Sequence, residues 1–73
     1  MTPHTKLLLA SHMRQRIHLH RELCLELERQ MRADVEEQSR ITAAVARIER
    51  MIEWHKDQAK AICNEALSKE TTP

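Results

Sequence analysis

Glycine is missing from this sequence altogether. Its absence removes the residue that most readily adopts the left-handed conformation of tight hairpin turns, and with it the phosphate-cradling loops of nucleotide-binding proteins. Phenylalanine and tyrosine are missing too, so Trp54 is the only aromatic residue of the Phe, Trp and Tyr class. Proline occurs only at positions 3 and 73, and no residue of the breaker type interrupts the stretch between them. The two cysteines, Cys24 and Cys63, are far from the dense frameworks of small secreted domains and fit a reducing cytoplasm. No apolar run is long enough for a signal-peptide core or a membrane span, "KLLLA" being too short for either.

Charge of neither sign dominates. The net charge of +1 argues against a strong non-specific nucleic-acid binder, which needs a concentrated basic surface. Arg14, Arg16 and Arg21 cluster near His18 and His20, but Glu22, Glu26 and Glu28 follow at once, as on a solvated charged face. No metal, cofactor or nucleotide signature is present, neither cysteine has a polarised setting or a glycine-built oxyanion loop, and the chain reads as a non-enzyme. No cofactor is expected.

What remains is rich in Ala, Leu, Met, Glu, Gln, Lys and Arg, all good helix formers, in 73 residues that allow one small domain. The apolar residues follow a heptad. Ala10, Ile17, Cys24, Met31, Val45, Ile52, Ala59 and Ala66 occupy position a; Met13, His20, Leu27, Ile41, Ile48, His55 and Ile62 occupy position d. Two neighbouring core positions turn polar, Asp34 and Gln38, and Asp34-Val35-Glu36-Glu37 matches a capping box. The spacing therefore predicts an all-α antiparallel two-helix hairpin: helix one over about 5–33, a bend at 34–39 and helix two over about 40–69. The alternative is a single unbroken helix, ~90 Å long at ~1.5 Å per residue, that pairs as a coiled coil. The missing helix-ending glycine and the intact heptad phase favour that alternative.

Folding at the polar break gives a seam of Met13, Ile17, His20, Cys24, Leu27 and Met31 against Ile41, Val45, Ile48, Ile52, His55 and Ile62. In that register His20 lands opposite His55, with Cys24 one turn from His20. Histidine and cysteine at i, i+4 can ligate zinc, so His20, Cys24 and His55 are the metal candidates, but a structural site wants four ligands. The plainer reading is a neutral histidine pair that fixes register, whose burial would make stability fall as pH drops through the histidine range.

One seam gives a thin core, and further apolar surface must be covered somewhere. One flank of the expected seam carries Leu9, Leu19 and Leu23 on helix one with Ala44, Met51, Trp54 and Ala61 on helix two, while the other carries Arg14, Arg21, Glu28, Glu49 and Lys56. A strip containing a Trp and a Met has the composition of a binding hot spot, so Leu9, Leu19, Leu23, Met51, Trp54 and Ala61 are the expected partner-binding residues. Its cover is either a helical protein partner or a second copy in a four-helix bundle. A membrane is disfavoured, because acids and bases alternate on the polar face.

The stretches "LCLELERQM" and "ITAAVARIERMIEWH", flanking a single bend in a chain of this length, resemble the small helical co-chaperones of type III secretion needle subunits. The resemblance implies a bacterial, cytoplasmic protein that packs on a helical-repeat chaperone and helps keep the needle subunit unpolymerised. It assigns the chaperone contact to Leu19, Leu23, Met51 and Trp54. A self-assembling helical-bundle protein and a small phage or regulatory adaptor fit the same residues.

Overall fold

In a computed structural model the chain is a two-helix hairpin, described for the backbone of residues 1–71 and the side chains of residues 1–68. Helix α1 runs Pro3–Arg32 and helix α2 runs Val35–Thr71, packed against each other in a rod of 60 × 16 × 13 Å. Helix α1 starts where the sequence places a cap and a proline together. Thr2, extended at φ −72° and ψ 159°, accepts the Thr5 N–H at its hydroxyl oxygen, 3.2 Å away, and Pro3 gives up no useful donor in the first turn. Arg29 and Arg32 sit in the last turn, where cations favour the carbonyl end of the helix.

The bend is shorter than the expected 34–39, because Ala33 and Asp34 alone make it. Ala33 leaves the helix in an extended conformation, φ −78° and ψ 149°, and its N–H still donates to the Gln30 carbonyl at 3.4 Å. Among the described residues none has positive φ, so the reversal is made without the left-handed residue that glycine would supply. Asp34 then caps α2: its Oδ1 accepts the Glu37 N–H at 2.9 Å and its carbonyl accepts the Gln38 N–H at 3.0 Å. Glu36 and Glu37 add acidic charge to that first turn.

The core is one layer thick. Leu19, Ile48 and Ile52 form its centre with Leu23 packed against them, and Val45 and Ala59 are the other buried apolar residues among those described. Helix α2 thus turns Val45, Ile48, Ile52 and Ala59 inward, with Ile41, His55 and Ile62 half-buried along the same line.

Helix α1 faces α2 differently from the heptad register. Met13, Ile17, His20, Cys24, Leu27 and Met31, expected in the seam, are all exposed, and Met31 is 87% exposed. In their place Leu9, His12, Arg16, Leu19, Leu23, Glu26 and Gln30 turn toward α2, a rotation of roughly 100° about the helix axis. The physical reason is that α1 carries two adjacent apolar stripes and only one can meet α2. The chosen stripe puts unbranched-at-Cβ leucines at the centre against two isoleucines, and its polar members find partners across the seam: His12 on His55, and Gln30 Nε2 donating to Thr42 Oγ1 at 3.0 Å. Among the described residues, no helix is long and apolar enough to cross a membrane.

Candidate interaction surface

Two features stand out from the inert length of the hairpin, one inside the seam and one outside it. Inside, His12 Nδ1 and His55 Nδ1 lie 2.9 Å apart. One ring must donate its Nδ1–H and the other must accept, so at least one of the two is neutral. Trp54 closes this corner, its ring 5.7 Å from His12 and 4.8 Å from His55 in edge-on contacts. His55 therefore has a partner from α1, but it is His12 rather than the expected His20, whose position on the outer stripe carries it away from α2.

Partial burial at the seam lowers the His55 pKa below its ordinary 6.5, and the nearby His12 charge lowers it further. Between 6.5 and the lower folded value the unfolded chain holds more protons than the folded one, so stability falls as pH drops through that window and levels off beneath it. Urea unfolding followed by circular dichroism should show a lower midpoint at about pH 5 than at about pH 7.5, and His55→Asn should flatten that difference.

The metal candidates do not assemble. His20 and Cys24 are exposed on α1 while His55 points into the seam, and among the described residues no three His, Cys, Asp or Glu side chains converge. The expected partner strip is also divided. Leu19 is buried and Leu23 packs on the core, Leu9 is half-buried, whereas Met51, Trp54 and Ala61 remain exposed on α2. Rotation of α1 is again the cause: the leucines assigned to a partner are the ones α2 takes.

Outside the seam, the residues released by that rotation form a stripe of their own. Met13, Ile17, Cys24, Leu27 and Met31 follow one another at steps of three, four and seven, with His20 between Ile17 and Cys24. Ile17, His20, Arg21, Cys24 and Leu25 enclose a shallow hollow whose accessible lining is apolar. The stripe borders α2 along a charged edge: Met13 shares a hollow with Lys56 and Lys60, and His20 shares one with Glu49 and Glu53. Such a stripe at heptad spacing is the shape another helix packs against.

No family model matches this chain, and no curated protein or solved structure matches it either. The surface itself carries the functional reading. The sequence signal for it was present, since the heptad register picks out these same side chains as a stripe; what the register assigned wrongly was their burial against α2. His12 was missed because it lies off that register, and threading Leu9, His12, Arg16, Leu19 and Leu23 against helix two would have brought it level with His55.

Proposed function

We propose that this chain is a non-enzymatic protein-binding module, a helical hairpin that presents the outer stripe of α1 to a helix of another protein molecule. The observation that carries it is an imbalance on one helix. Leu19 alone of α1's described residues is buried, while Met13, Ile17, Leu25, Leu27 and Met31 stay 42–87% exposed. Contiguous apolar area of this kind on a small protein marks an interaction site.

A small cytoplasmic co-chaperone of a type III secretion needle subunit, with a helical-repeat chaperone as its partner, is the finer form of this proposal. What supports it is the two-helix layout. Of the four residues that the resemblance assigns to the chaperone, Met51 and Trp54 are available, and Leu19 and Leu23 serve the seam instead.

Ile17→Glu tests the proposal. At low micromolar concentration the variant should keep its helicity by circular dichroism and lose roughly half of the fluorescence of a bound hydrophobic dye, since a surface substitution changes stability by only about 0.5 kcal/mol. Loss of helicity would place Ile17 in the fold's own core and end the proposal.

A further inference from the structure

Resting on the binding-module reading, we propose that the occupant of the α1 stripe is a second copy of this chain, docked antiparallel so that two α1 helices meet at the centre of a four-helix assembly. The charge pattern of α1 argues for this occupant and this direction. Residues 1–21 contain Lys6, Arg14, Arg16 and Arg21 and no acid, whereas Glu22, Glu26 and Glu28 follow within the next seven residues. An antiparallel copy lays the acidic segment of each α1 over the basic segment of the other; a parallel copy stacks like on like.

The register follows from the stripe. Centring the two-fold axis near His20 and Arg21 sets Met13 opposite Leu27, Ile17 opposite Cys24, Met31 opposite Ala10 and Arg14 near Glu28 of the second copy. The surroundings agree with it. At the Met13 end, Arg16, Lys56 and Lys60 line one hollow, and the Arg16 Nε is shielded from solvent with no acceptor from its own chain. Arg29 and Arg32 share the acidic end, and Arg29 is bound to Glu26 at 3.2 Å, which leaves Glu22 and Glu28 to carry its acidic charge. A stripe of about 30 Å on a rod 16 Å wide covers on the order of 500 Å² per copy, about 1,000 Å² in the pair, the lower end of specific interfaces. The assembly is therefore a reversible, concentration-dependent dimer.

Sedimentation equilibrium of the full chain under reducing conditions, from low micromolar to near-millimolar, should show one chain mass rising to two. Arg14→Glu and Glu28→Arg should each weaken the dimer about tenfold, and the double variant should restore it to within about threefold. Orientation is read separately by mild oxidation in a Cys63→Ser background. Ile17→Cys should then link to Cys24 of the second copy. The two positions are two turns apart in one chain, about 10 Å, too far for an internal disulfide.

Three results would overturn the proposal: a monomer at every concentration, single charge reversals without effect on the dimer, or efficient Cys24–Cys24 bridging in Cys63→Ser alone, which marks a parallel pair. A monomer whose Ile17→Glu variant stays folded and loses dye binding defeats self-pairing but leaves the binding module standing. Unfolding of Ile17→Glu defeats both.

Discussion

Leu19→Ala should unfold most of the chain. Leu19 is 4% exposed, the most buried residue described, and it joins Ile48 and Ile52 in the only core cluster among the described residues. Truncating a buried leucine costs about 3 kcal/mol through lost transfer energy and the cavity left behind. A single small core rarely supplies more than about 3–5 kcal/mol in total, so little net stability survives the loss. Urea titration at low micromolar concentration, followed at 222 nm, should show the cooperative transition of the parent chain replaced by a shallow slope from the start. Ile17→Ala, two residues away, should move the midpoint hardly at all, because its side chain is 57% exposed. The contrast between two neighbouring apolar residues on one helix is the energetic signature of the rotation of α1. Equal losses at both positions would mean that the helix has no fixed face.

The second large effect is on shape. The heptad phase runs unbroken through the bend, and only Asp34 and Gln38 turn the seam polar there. Asp34 is also the cap that starts α2, through its Oδ1 on the Glu37 N–H. Replacing both by leucine, Asp34→Leu with Gln38→Leu, removes the cap and completes the stripe in one step. Loss of the cap costs about 1 kcal/mol, and continuous helix through Ala33 regains the backbone hydrogen bonds that the bend interrupts. The variant should open into one long helix that pairs along its length. Small-angle scattering reads this directly: the radius of gyration, 16.9 Å for the hairpin, should rise to roughly 30 Å, that of a rod of some seventy residues at ~1.5 Å each. An unchanged radius would show that the bend is held by the seam and not by its capping residues.

These two expectations also mark how far the sequence could be read. Helix two was legible because its inward line is unambiguous: Val45, Ile48, Ile52 and Ala59 are apolar at the required spacing, and the positions beside them are mostly polar. The cap of α2 was legible, because an aspartate followed three residues later by a glutamate is a physical device for capping a helix, but the start of the helix was set about five residues late, at about 40 against Val35. The end of α1 lies within one residue of the expected position, at Arg32 against about 33, although an extended alanine does there what a glycine usually does.

The facing of helix one was the point where pattern alone misled. Leu9, Leu19 and Leu23 make one stripe and Met13, Ile17, Leu27 and Met31 make another, and local periodicity scores the second higher. What chooses between them is a fit to α2, where His12 meets His55 and Gln30 meets Thr42. Such cross-helix matching is non-local, and no window along one helix contains it. The same ambiguity is the source of the exposed stripe, because a helix with two apolar stripes in a two-helix protein leaves one of them uncovered.

Surface ion pairs do little to decide any of this. Arg29–Glu26 and Lys56–Glu53 join neighbours on single helices with at least one partner well exposed, each worth at most about 1 kcal/mol and screened by salt.

The outward stripe carries its own reporter. Cys24 is exposed on it, and with Cys63→Ser it becomes the only thiol in the chain. Its alkylation rate in the folded protein, measured against the urea-unfolded protein, asks whether that face of α1 meets solvent or α2. At low micromolar concentration the two rates should agree to within about threefold, with protection growing as the protein is concentrated. Protection of a hundredfold or so in the dilute folded chain would put Cys24 inside the hairpin and contradict the account.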